Sequence, residues 1–212
     1  VVVAAARRPI LSGMLRRNRS ERVAAPDPAL MRLVETTGAA ARGADGLRSA
    51  MAVVLDDVAV AARWQAGHAW VPYPEPGAWI SSGLWFPDDG IGLGGLRRAC
   101  VDAAPGPVAG HLALALDRCA TQWIGDLDAL AGSPVQLAAQ AARIVGAVAC
   151  PVFAGGVPVA LLEWYVATPA RPAADVAHVL GHLSGVLSEV AERGAVPAVP
   201  TPRSSSGRLL PV

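Results

Sequence analysis

Lysine is absent from this chain of 212 residues: all of its 18 basic side chains are arginine, and against 17 acidic ones they leave a formal net charge of +1. Without a lysine no phosphate loop of the Walker type can be completed. A chain so near neutrality also lacks the broad positive field with which a nucleic-acid binder neutralises phosphates and releases counterions, so nucleic acid is not expected as a partner. Cysteine is scarce, with Cys100, Cys119 and Cys150 far apart and odd in number. None forms a Cys-x-x-Cys pair for zinc or redox work, and a reducing, cytoplasmic setting suits them. No apolar run reaches the ~18 residues that span a bilayer, and Val1 to Ala6 is too short and unflanked for a signal peptide, so no membrane is expected. Gly-x-Ser-x-Gly, His-Glu-x-x-His and the kinase motif set are all missing, and the expectation is a protein that is not an enzyme.

What is present is 53% hydrophobic residues, enough for one core. At roughly 100 to 200 residues per domain the length favours a single domain. Its limits are expected at 27–193, between a disordered basic arm over 1–26, which collects Arg7, Arg8, Arg16, Arg17, Arg19 and Arg22, and a disordered tail rich in proline and serine over 194–212. Asp27-Pro28 starts a helix to about Ala41. A second, capped by Asp45, carries Leu47, Met51, Val54, Leu55, Val58 and Ala62 on one face. Ala66 to Pro72 and Ala78 to Phe86 read as a hairpin. Helical runs over Leu96 to Ala103 and Val108 to Leu116, a short strand at Ala120 to Ile124 and a helix from Ser133 to about Ile144 follow. Val148 to Phe153 and Val157 to Val166 are near-continuous apolar runs, as strands buried on both faces are. A closing helix after Pro172 repeats Val176, Val179, Leu183, Val186 and Val190 in heptads.

The end of the chain resembles a GAF domain, a sensory module of bacterial signalling proteins. The resemblance rests on Pro151-Val152, the Gly155-Gly156 turn, Leu162-Glu163-Trp164-Tyr165, Gly181 with Gly185, and Glu192-Arg193. Upstream, Trp64, Gly67 and His68, then Ser82-Gly83-Leu84-Trp85, continue it over about Pro28 to Arg193. It implies an α+β fold with a central antiparallel sheet of five to six strands and helices on both faces, the first strand beside the last. It also implies a non-catalytic sensor that binds a small molecule or transmits a signal, with a kinase or cyclic-di-GMP output domain as partner. The family's use of its end helices implies a homodimer through the N- and C-terminal helices, around Leu30, Leu33, Val34 and the valine stripe. The alternatives are a ligand-free dimerisation module and a thiol-dependent reductase like the free methionine sulfoxide reductases. That enzyme family places Gly-x-x-x-Cys-Gly where this chain has Gly106-Pro107-Val108-Ala109-Gly110-His111, so its thiol is missing here.

Glu163 lies in an apolar strand, where a bare carboxylate is costly, and it needs a partner. With the first strand beside the last, His68 is expected within hydrogen-bond reach, directly or through one water. The couple reads either as a satisfied pair fixing register or as a ligand contact. Replacing Glu163 by Leu is then expected to be milder than replacing His68 and leaving the carboxylate alone. Trp70 shares the parity of His68 and joins it as a candidate pocket wall; the other five tryptophans read as core for the most part. The ligand-binding candidates are therefore His68, Trp70 and Glu163. His178 and His182, four apart on the closing helix, have the spacing of two metal ligands but no third, and no metal is expected. Haem could take His111 or His68, though nothing selects either, and the cofactor stays unknown. The Gly90 to Gly95 run reads as a loop or lid.

Overall fold

The computed structural model describes residues 27–88, 92–127, 133–168 and 174–194. Asp27 starts α1 (Pro28–Arg42) as its chemistry predicts: its carboxylate accepts the Ala29 N–H at 2.8 Å, and Pro28 fills the first position. The second helix, α2 (Leu47–Ala62), begins otherwise. Its cap is Gly46 at φ 90 rather than Asp45, a left-handed turn that glycine makes without strain, and no side chain caps it.

Strands β1 (Ala66–Pro72), β2 (Trp79–Phe86), β3 (Gln122–Ile124), β4 (Gly146–Ala154) and β5 (Val157–Val166) form a five-stranded sheet in the order β2-β1-β5-β4-β3. Every neighbouring pair is antiparallel. The first strand does lie beside the last, and β5 is central, which is why its run from Ala160 to Val166 is buried throughout.

Alternation along the strands sorts two cores. Ala69, Val148, Val152, Leu162 and Trp164 pack against α1, α2 and the closing helix α6 (Ala174–Gly194). Ala66, Trp70, Ala147, Ala149, Leu161 and Tyr165 point to the other face, under α3 (Gly94–Asp102), α4 (Gly110–Arg118) and α5 (Pro134–Ala141). Gly94 and Gly95 thus open a helix, while Gly90 and the rest of 89–91 lie outside the described residues. Helix α5 stops at Ala141, short of Ile144, where Arg143 takes φ 58. Helices therefore cover both faces.

The valine stripe does not need a second subunit. Val179, Leu183, Val186 and Val190 are buried inside this chain, and Leu180 and Leu187 join them to make a face broader than a heptad seam. Leu30, Leu33 and Val34 of α1 pack on the same core. The sheet and α1 cover the stripe within the chain, so the stripe is not by itself an argument for a homodimer. Arg42 pairs with Glu189 at 2.9 Å at the rim of the α1–α6 contact, both side chains exposed. The basic arm over 1–26 and the tail beyond Gly194 lie outside the described residues; Gly194 itself ends α6.

Candidate functional site

On the face under α3, α4 and α5, β1 and β5 place Ala66, His68 and Trp70 opposite Tyr165, Glu163 and Leu161. Across β4 the partners of Glu163 and Tyr165 are Ala149 and Ala147. Two methyl groups leave room there for a long carboxylate and a phenol, and α4 lowers His111 onto them.

Glu163 is the hub. Its Oε1 lies 2.7 Å from His111 Nε2, and its Oε2 accepts from Trp70 Nε1 at 2.9 Å and from the Tyr165 hydroxyl at 2.7 Å. Burial by itself pushes this carboxyl upward, but the hydrogen bond and charge of His111, with the Trp70 and Tyr165 bonds, together hold it below the usual carboxylate range. Cys100 Sγ stands 4.0 Å behind the Tyr165 hydroxyl. The Tyr165 phenol is raised well above its usual value, by burial first and then by the neighbouring Cys100 and Glu163.

His68 is placed otherwise than expected. It faces Glu163 across the ladder, yet no direct hydrogen bond joins them. A shift of register between His68 and Trp70 brings Ser81 of β2 to 2.8 Å from His68 Nε2, and the ring stacks on Trp85 at 4.2 Å with Trp70 edge-on at 4.7 Å. The bulge and the aromatic sandwich win over the cross-strand carboxylate, whose oxygens are already engaged. Fully buried, His68 has its pKa lowered to about 4 by desolvation, with the Glu163 charge opposing. The expected order of costs reverses as well, since Glu163 holds three donors and His68 one partner.

A cavity of about 410 Å³ opens above this cluster. Trp70, Trp79, Tyr165 and Glu163 form the side on the sheet, and Ala103, Ala104, the segment from Gly106 to Leu112 and Ala139 much of the rest. Trp70 and Glu163 thus line it, and His68 does not. His111 is the residue that sequence reading left among unselected haem ligands; its signal was its place at the start of a helical run opposite a strand that carried an unpartnered acid. His178 and His182 lie exposed on α6, and among the described residues no group of three metal-ligating side chains gathers.

None of the three cysteines lines the cavity. Cys100 and Cys150 are buried and their thiols pushed up by desolvation, Cys150 to about 11. Cys119 is exposed at the end of α4. Gly110 does line the cavity and takes φ 59, a conformation that suits glycine.

No family model matches the chain, and no curated protein does. Solved structures do. The free methionine-R-sulfoxide reductase of Neisseria meningitidis, in complex with its substrate, is similar over 81% of this chain and 96% of its own, with a TM-score of 0.61 at 17% identity. The GAF domain of an Acinetobacter phosphoenolpyruvate-protein phosphotransferase covers 81% and 95%, with a TM-score of 0.57 at 13% identity. A domain of a putative two-component sensor histidine kinase from Sinorhizobium meliloti 1021 covers 71% and 93%, with a TM-score of 0.51 at 14% identity. Identities this low speak for the fold alone, and the fold is GAF-like.

Proposed function

We propose that this GAF-fold domain is a non-catalytic sensor that takes a small molecule into the cavity between its sheet and α4. The observation that carries the reading is the cavity itself, of ordinary ligand size, with aromatic walls and a few convergent polar groups beside a fully hydrogen-bonded buried acid. Glu163 serves there as the fixed point that orients Trp70, Tyr165 and His111 toward the occupant.

The way out runs through β4 and β5 to α6. Ser184 of α6 donates to the Pro151 carbonyl at 2.6 Å, and Glu192 accepts the Gly155 N–H in the β4–β5 turn at 3.0 Å. A change at Glu163 therefore moves the strand pair to which α6 is tied, and a kinase or cyclic-di-GMP output is the kind of partner that reads such a helix. Among the described residues no helix is long and apolar enough to cross a membrane.

Native mass spectrometry of protein taken from cells tests this. A retained small molecule, lost when Val108→Trp fills the cavity mouth, is the expected result. An empty cavity in every preparation, with the variant unchanged in fold and ligand response, speaks for a dimerisation module instead. The reductase reading predicts thiol-dependent turnover of free methionine sulfoxide, abolished by a Cys→Ser change. The placement of all three thiols outside the cavity supports the expectation of no turnover.

A further inference from the structure

The cavity wall presents no free charge. None of its described lining residues is Arg or Asp, and the chain has no Lys. The ionisable side chains of the lining, Glu163, His111 and Tyr165, form one hydrogen-bonded cluster. Glu163 Oε1 lies 2.7 Å from His111 Nε2, Oε2 accepts from Trp70 and Tyr165, and the residue is only 3% exposed. Other polar side chains are tied to the protein as well. Gln136 Nε2 donates to the Leu127 carbonyl at 2.7 Å, and Ser133 Oγ accepts the Gln136 N–H as the cap of α5. His111 Nδ1 lacks a partner, but it has almost no accessible surface and offers an occupant little. Trp79, Val108, Leu112, Leu127, Val135 and Ala139 make most of the remaining wall apolar. An apolar cavity of about 150 Å³ takes benzene, so the 410 Å³ here leaves room for two fused rings.

Resting on the reading of this cavity as a ligand site, we infer that its occupant is an uncharged, mostly apolar molecule of fused-ring size, held against Trp70, Trp79 and Tyr165. An anion entering here gives up its hydration beside the Glu163 carboxylate, with no counter-charge in the wall to replace it. A cation has one carboxylate to reach. Pairing with it displaces His111, Trp70 or Tyr165 and leaves that donor buried without an acceptor. A sugar or a nucleoside is neutral but rich in donors and acceptors, and the side chains that could serve them are engaged with one another. An apolar molecule meets none of these costs, and it gains the burial of its own surface against the aromatic walls. Glu163 then acts on the occupant through the three side chains it holds in place.

Calorimetric titration of the whole chain at neutral pH with 2-naphthol and 3-methylindole, beside 2-naphthoate, indole-3-acetate, tryptamine and uridine, tests the inference. At least one of the first two is expected to bind in a 1:1 ratio, roughly tenfold or more tighter than each of the other four. The same probe is expected to shift the backbone amide signals of Val108, Leu112 and Val135 in the unaltered protein. Binding of an acid, the amine or uridine as tightly as the uncharged rings overturns the ligand class while leaving a ligand cavity in place. Ring binding that leaves all three signals unmoved overturns the site. No binding by any of these probes overturns the inference, and joined to an empty native mass spectrum it removes the sensor reading as well.

Discussion

Acidification of this protein has a cost that one residue dominates, and it can be isolated. His68 is fully buried between Trp70 and Trp85, with its pKa near 4 against 6.5 for a free side chain. The unfolded chain therefore takes up a proton below pH 6.5 that the folded chain refuses until about pH 4. Stability from this residue is full above 6.5 and is lost as pH falls toward 4. At pH 4.5, two units below the unfolded value, the loss is about 2 to 3 kcal/mol at ~1.36 kcal/mol per unit. Glu163 does not blur this window, because its pKa is lowered in the fold and its own contribution disappears only as pH drops through that lower value. His68→Phe keeps the stack on Trp85 and loses the Ser81 bond, an offset that does not vary with pH. Urea midpoints for both proteins between pH 7.5 and 4.5 are the assay, and the wild type is expected to lose ground on the variant by the amount above. Parallel profiles, or a His68 ring that titrates near 6.5 by NMR, refute the argument.

Glu163→Leu is expected to cost about 3 to 5 kcal/mol in chemical denaturation, more than His68→Phe at pH 7.5, since it strands His111, Trp70 and Tyr165 as buried groups without their acceptor. Gly146→Ala puts a Cβ 2.6 Å from the Ile124 carbonyl oxygen and 2.9 Å from Trp123, and because the first contact is paired backbone it cannot give way cheaply. A loss of about 1 to 3 kcal/mol and a disturbed β3–β4 edge in amide exchange are expected. Leu183→Ala is expected to cost about 2 to 5 kcal/mol with no change of mass by light scattering, because Leu183 is fully buried within the chain. A folded Leu183→Glu monomer from a wild-type dimer contradicts that burial.

Periodicity was sufficient wherever one element settles its own burial. The run from Val157 to Val166 has no polar face, as a strand covered on both sides has none, and β5 is the centre of the sheet with the bounds its sequence implies, buried from Ala160 onward. Asp27-Pro28 and Ser133-Pro134 announce helices because capping is local chemistry. The closing helix shows where that logic stops. Five apolar residues in heptads are the same pattern whether the partner is another subunit or the chain's own sheet, and only Leu180 and Leu187, filling the flank of the stripe, separate a core face from a seam.

The site divides along the same line. That Glu163 needs donors follows from its strand alone, but which donors depends on a register shift in β1 that carries His68 to Ser81, and on the packing of α4, which delivers His111 from 52 residues away. Neither is encoded in the spacing of nearby residues. The small side chains Ala147 and Ala149 are the one trace left in the sequence: between larger apolar neighbours on β4, they mark where something other than a helix's own apolar face must fill the space over Glu163 and Tyr165. Part of what fills it is the imidazole of His111, which also lines the cavity beside Glu163. The substitutions Ala147→Val and Ala149→Val, each adding bulk opposite Tyr165 and Glu163 in a fully packed layer, should therefore lower the urea midpoint by crowding the Glu163 cluster, and an unchanged midpoint for both would show that the space there is not set by these two small side chains.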